Sequence, residues 1–169
     1  MPQSPIRPWK SVELGRHKNT NIYLSSMHTS IMRMDTSLWA RGALRKVICS
    51  PRRKNLALAA PLVSELGFKQ GGLYEEICAK AFSFGLELCP AEVGLALLSQ
   101  WRNDPWNGWT IIAMSPIVDA YGNRGVFKIE RNNNGLCLTD EDAHPRHFLP
   151  SKVRLVFALP KQISPQNPK

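Results

Sequence analysis

A change of hydrophobic period at Trp101 constrains the fold of this chain more than any other feature. Before it, between residues 73 and 100, apolar residues recur every three to four positions, which is the spacing of helices. After it, apolar and polar residues alternate in short segments bounded by glycine, asparagine and proline, which is typical of strands joined by turns. Helices followed by strands indicate an α+β domain.

Two short helices are predicted before the change of period. The first covers Leu73–Phe84. The second begins at Pro90, with Cys89 at the N-cap position and Glu92 placed to bond the N-cap amide. Because the second helix is apolar nearly all round, we expect it to be buried, and Gly94 within it indicates the close approach of another backbone.

An antiparallel sheet of about four strands is predicted after the helices. The candidate strands are 108–114, 126–131, 136–138 and 153–159. A type I′ turn at Asn134-Gly135 suits a hairpin between the second and third of them. The expected α+β domain therefore covers residues 62–159, and the polar, proline-punctuated residues 160–169 are expected to be a disordered tail.

The N-terminal segment, residues 1–61, is poorly patterned and basic. Residues 20–60 are rich in serine and lack a sustained hydrophobic period, so this segment is expected to be weakly structured. The chain has a formal net charge of +9, and residues 1–54, with 11 Lys and Arg against 2 Asp and Glu, carry all of it. Binding of a nucleic acid or of an anionic surface is one hypothesis for residues 33–54, and an Arg- and Ser-rich composition of this kind also resembles an organellar transit peptide. A solvated stretch without a partner is favoured over both. The candidate nucleic-acid contacts are Arg41, Arg45, Lys46, Arg52, Arg53 and Lys54.

Several short blocks of the sequence form a recognisable combination. They are Trp9-Lys10, Leu14-Gly15, His17-Lys-Asn19, Glu65-Leu-Gly-Phe68, the ten residues GLELCPAEVG at 85–94, Ala113-Met-Ser-Pro-Ile117, Asp119, Gly122 and Phe127. Together these blocks resemble a family of small uncharacterised bacterial proteins. The resemblance covers roughly residues 9–19 and 65–159, and it implies no activity.

Residues 20–60 differ from that family, whose members carry a patterned and more acidic segment there. We therefore hypothesise that this interval is locally frameshifted or strongly diverged. The coding DNA tests this, because another reading frame should then encode an amphipathic pattern.

Cys89 is the residue that most resembles a catalytic group. A thiol at a helix N-terminus can act as a nucleophile, which makes a thiol enzyme one alternative. Nothing in the sequence places a histidine beside it, and free cysteines are usually buried, so we interpret it as a structural thiol. The four cysteines lack C-x-x-C spacing, and the sequence shows no secretory signal segment, so a cytoplasmic protein with reduced thiols is expected. No apolar run is long enough to span a bilayer, so no membrane partner is expected.

One polar cluster could suggest a metal site, namely His144-Pro-Arg-His147 with Asp140, Glu141 and Asp142. Its spacing matches no standard zinc pattern and Pro145 forbids a helical presentation, so a solvated loop is predicted instead. The common phosphate-binding, dinucleotide-binding and hydrolase motifs are absent from the sequence. No catalytic, cofactor-binding or metal-binding residue is predicted.

The sequence thus favours a non-catalytic binding or interaction module with a protein partner. Its expected contact surface is the loop that contains Arg102 and Trp106, or the exposed face of the sheet. Trp101 and Trp109 are expected to pack between the sheet and the helices.

Overall fold

The structure, a computed structural model, describes residues 6–26, 37–101, 109–132 and 135–160, in which strands hold more residues than helices. The strands are β1 (Pro8–Leu14), β2 (Lys54–Ala59), β3 (Gly72–Leu73), β4 (Trp109–Ile112), β5 (Ile117–Val118), β6 (Arg124–Asn132), β7 (Gly135–Asp142), β8 (Phe148–Leu149) and β9 (Arg154–Ala158). The helices are α1 (Thr20–Ser26), α2 (Leu38–Leu44), α3 (Tyr74–Ser83) and α4 (Glu92–Gln100), with a 3₁₀ helix at Val63–Leu66.

The main sheet of the described residues has seven strands, in the order β1-β2-β9-β4-β6, with β5 and β7 both paired to β6. Only the pairing of β4 with β9 is parallel. A second sheet joins β3 to β8. The predicted α+β class is confirmed, but the estimate of about four strands is too low. The order of elements also differs, because β1, α1, α2 and β2 come before the two predicted helices.

The expectation of a weakly structured N-terminal segment is wrong for its described residues. β1 pairs with β2 along its whole length, and Val12 and Leu14 of β1 are buried. β2 in turn pairs with β9, so strands from both sides of residue 61 belong to one sheet. In α2, Ser37 accepts a hydrogen bond from Ala40 N at 3.1 Å as the N-cap, and the side chains at i, i+3 and i+4 are buried.

The core lies on both faces of the central strands. Leu155, Val156 and Phe157 of β9 are consecutive and all fully buried, so both faces of that strand are covered. α4 packs against β1, β6 and β7 on one face. The nearest atoms to a Cβ built on Gly94 belong to the side chains of Phe127 and Leu138, at 3.4–3.6 Å. The prediction that another backbone approaches Gly94 is therefore wrong.

The turn between α3 and α4 differs from the predicted capping arrangement. α4 begins at Glu92 with Ala91 as its N-cap, and the turn before it is held by Val93 N donating to Pro90 O at 3.0 Å. Glu92 is therefore not an N3 capping residue. Its carboxylate has distant partners instead.

Two further predictions concern the C-terminal part. β7 continues to Asp142, so the acidic residues 140–142 are strand residues and not loop residues. Most of the predicted disordered tail, residues 161–169, lies outside the described residues. No helix in the described ranges is long and apolar enough to cross a membrane.

Candidate binding surfaces

Glu92 lies at the centre of a buried polar network that ties three segments together. The side chain is 1% exposed. Its Oε1 accepts hydrogen bonds from Gly15 N and from the Tyr23 hydroxyl, both at 2.7 Å, and its Oε2 accepts one from Ser50 N at 2.7 Å. A buried carboxylate needs such partners to offset its desolvation. The first residue of α4 therefore anchors the ends of β1, α1 and the chain leading into β2.

The Tyr23 hydroxyl and the Cys49 thiol, close to this carboxylate, are held in their neutral forms. Burial and the hydrogen bond to Glu92 raise the pKa of the Tyr23 hydroxyl. Burial and the negative charge of Glu92 raise the pKa of the Cys49 thiol. His17 stacks edge-on against Tyr23 with the ring centroids 4.5 Å apart. The cluster is thus a structural anchor with an uncharged thiol beside it, and not an activated nucleophile.

Cys89, the candidate nucleophile, is buried and bonded to the backbone. Its Sγ lies 3.5 Å from Val156 O, and its backbone nitrogen donates to Ala113 O at 2.7 Å. Burial raises the pKa of the Cys89 thiol far above its ordinary value. The neighbouring Cys78 thiol also has its pKa raised by burial, to about 11. Thiols in this state are protonated at neutral pH and chemically inert.

The six basic residues predicted as nucleic-acid contacts lie in two separate places. Arg41, Arg45 and Lys46, the α2 basic group, lie on α2 and the turn after it, where Lys46 Nζ donates to Val118 O. α2 packs against β7. The other three lead into β2, which β9 and β4 separate from β6 and β7. The six residues therefore belong to two different parts of the fold.

The three basic residues at the start of β2 join a second basic segment. Leu14 pairs with Lys54 at the end of β1, and a Cβ on Gly15 would lie 2.3 Å from Arg52 O, so the two backbones are in direct contact. Glu13 forms ion pairs with Arg16 at 3.2 Å and with Arg53 at 3.5 Å. We name the resulting surface the β1–β2 basic cluster. It consists of Arg16, Lys18, Arg52, Arg53 and Lys54, all exposed.

The free edge of β1 is covered by side chains from the end of α4. The Gln100 amide accepts from Glu13 N at 2.9 Å and donates to Glu13 O at 2.7 Å. Trp101 Nε1 donates to Ser11 O at 3.0 Å. Lys10 Nζ lies 4.2 Å from the centroid of the Trp101 ring. These contacts satisfy backbone groups that an edge strand would otherwise offer to another chain.

A cleft of about 590 Å³ lies against the outer side of β1 and β2. Ser11 and Ala57, a cross-strand pair, contribute to one wall, and the segment after α3, including Phe84 and Leu86, contributes to the other. The volume is within the range of ordinary ligand pockets. Among the described residues, none of the side chains that line it is charged. We name this feature the apolar cleft.

The histidine-containing cluster is an ion-paired surface. His147 Nε2 lies 2.9 Å from Glu141 Oε1, and Lys128 Nζ lies 3.7 Å from Glu141 Oε2. No group of three potential metal ligands with suitable geometry exists in the described ranges. The carboxylate of Glu141 therefore has basic side chains as its partners.

The predicted contact loop with Arg102 and Trp106 lies outside the described residues. Trp101 packs partly buried against β1, whereas Trp109 is 36% exposed with Lys128 Nζ 5.0 Å from its ring. The expectation that Trp109 packs under the helices is wrong.

Comparison with family models, with curated proteins and with solved structures finds no match to this chain. The resemblance to a bacterial family therefore stays a prediction.

Sequence reasoning did not identify Glu92 as a network centre, the β1–β2 basic cluster or the apolar cleft. The signal for the first was the rarity of a glutamate in an apolar helix, which indicates a buried carboxylate with partners. The other two join segments more than 25 residues apart in the chain, and no local pattern encodes them.

Proposed function

We propose that the protein is a non-catalytic binding module that takes up a neutral, apolar segment of a partner protein in the apolar cleft. The observation that carries the proposal is the absence of charged side chains from the described lining of a cleft in a chain of net charge +9. A charged partner would find no counter-charge there, whereas an apolar segment would lose little polar hydration.

The outer face of β1 and β2 supports this choice of site. Ala57 is exposed on β2, and Phe84 is 36% exposed on the opposite wall. Burying such side chains against an apolar partner contributes about 25 cal/mol per Å². This agrees with the sequence-based expectation that an exposed sheet face is the contact surface.

A thiol enzyme finds no support in the surroundings of Cys89. A catalytic cysteine needs a lowered pKa and access to substrate, whereas Cys89 is buried and its pKa is raised by burial.

A charge placed in the cleft tests the proposal. Peptides selected from a random displayed library against the wild-type protein should be enriched in uncharged, apolar residues. Binding of the synthesised peptides, measured by fluorescence anisotropy, should weaken at least about tenfold in Ala57→Lys, because an unpaired ammonium group would be desolvated against the ligand. Tyr121→Lys, a change at a residue 91% exposed outside the cleft, is the control and should leave the affinity unchanged. Peptides that bind both variants equally, or a selection that enriches none, would contradict the proposal.

A further inference from the structure

We propose that the β1–β2 basic cluster binds the phosphate backbone of a nucleic-acid duplex, without reading its bases. This surface lies outside the described lining of the apolar cleft, and the inference does not depend on the proposed function.

The first argument is charge. Five exposed basic residues come from two short segments, Arg16 and Lys18 after β1 and Arg52–Lys54 at the start of β2. Among the described residues, the acidic side chain that pairs with them is Glu13, which forms ion pairs with two of the arginines. The side chains of Lys18, Arg52 and Lys54 have no partner in the described ranges, so they are available to phosphates.

The second argument is rigidity. Gly15 adopts a φ of +74°, and its backbone contacts that of Arg52. The Glu92 carboxylate receives hydrogen bonds from Gly15 N and Ser50 N, and each of these residues lies just before one of the basic segments. The two segments are therefore fixed side by side, and their like charges cannot separate to relieve repulsion. A surface that keeps its charges concentrated is pre-organised for a polyanion.

The third argument is side-chain type. Three of the five residues are arginines, whose planar guanidinium groups fit phosphate oxygens in a bidentate manner. Polar residues flank the cluster on both segments, Asn19 after Lys18 and Asn55 after Lys54. Membrane-adsorbing basic surfaces instead carry large apolar side chains on an adjoining face. The exposed Ile22 and Ile48 do not lie within the cluster, which favours a nucleic acid over a membrane. Because they lie on the neighbouring segments, an anionic membrane is the competing occupant.

The salt dependence of binding gives a quantitative expectation. With five phosphate contacts, the slope of log K against log salt on a DNA duplex is about −4.5, so affinity should fall about 500-fold between 50 and 200 mM salt. With three contacts the slope is about −2.7 and the fall about 40-fold.

The experiment measures anisotropy of a labelled 20-base-pair duplex with the full chain at a series of salt concentrations. The double variant Arg52→Gln/Lys54→Gln removes two cations that have no partner in the described structure. The matched control Arg41→Gln/Arg45→Gln removes the same charge from the α2 basic group, which lies elsewhere in the fold. Circular dichroism of both variants checks that they are folded.

We expect the first variant to show the shallower slope and the control to keep that of the wild type. Equal loss in both variants would overturn the proposal, because binding would then follow net charge alone. So would wild-type binding without a salt slope. A third arm uses vesicles containing phosphatidylserine, and tighter binding to these vesicles than to the duplex, lost in the first variant, would assign the cluster to a membrane and overturn the nucleic-acid proposal.

Discussion

Replacing Glu92 by glutamine tests whether one buried carboxylate holds the N-terminal elements to the rest of the fold. The substitution keeps the size of the side chain and removes its charge. Two donors, Gly15 N and the Tyr23 hydroxyl, meet Oε1, and one, Ser50 N, meets Oε2. A glutamine has one acceptor oxygen and an NH₂ group in place of the other. If the oxygen keeps the first two donors, the NH₂ group must face the third.

The expected cost follows from these contacts. The N–H of Ser50 loses its acceptor, at about 1–3 kcal/mol for an unsatisfied donor. The two remaining hydrogen bonds change from charged to neutral acceptors, at about 0.5–1 kcal/mol each. The first residue of α4 also loses a favourable charge at the helix N-terminus, and the relief of carboxylate desolvation offsets part of the total. We expect Glu92→Gln to lower the free energy of unfolding by about 2–4 kcal/mol.

Urea unfolding followed by far-UV circular dichroism measures this change, with an unchanged m value as the check that the transition stays two-state. Glu87→Gln is the control, since Glu87 is exposed and the same change there should stay within about 0.5 kcal/mol. A double-mutant cycle with Tyr23→Phe should give a coupling of at least about 0.5 kcal/mol. A Glu92→Gln protein as stable as the control would refute the network as the anchor of these elements.

Two further predictions concern stability. Burial raises the pKa of the Cys78 thiol to about 11 and also raises that of Cys89, so both thiols stay protonated in the folded state between pH 8 and 10. In the unfolded state the same thiols ionise over this range. The free energy of unfolding should therefore fall as pH rises, by about 2 kcal/mol per thiol. Urea unfolding at both pH values measures this loss, and Cys89→Ala should reduce it by one thiol's share; an undiminished loss would contradict the assignment. Gly94→Ala should raise the free energy of unfolding by about 0.5–1 kcal/mol, because alanine favours a helix and its methyl group would meet the Phe127 ring at an ordinary contact distance of 3.4 Å. A destabilised variant, measured in the same assay, would show that the ring cannot yield.

The parts of the fold that were predicted correctly are those in which local pattern and tertiary environment agree. α3 and α4 carry apolar residues at helical spacing, and β9 is a short apolar segment bounded by turns and proline. β1 was missed because only Val12 and Leu14 of its seven residues are buried, and its first pairs are shifted in register. β2 was missed because it has only two buried residues and its strand partners are far away in the sequence.

The site was less predictable than the fold, for the same physical reason. A capping rule concerns residues three apart, and it assigned Glu92 a partner in its own helix. The actual partners lie 42, 69 and 77 residues away. The basic run at 41–54 similarly reads as one feature along the chain, but the fold divides it between α2 and the start of β2.

The contacts at the end of α4 bear on whether copies of the protein aggregate through the edge of β1. Gln100 and Trp101 occupy the hydrogen-bonding groups of β1 that another chain would need for strand addition. Fraying of the last turn of α4 would remove both side chains from β1 and expose its backbone donors and acceptors to a strand of another chain. The stability of this helix end therefore limits edge-to-edge aggregation at β1.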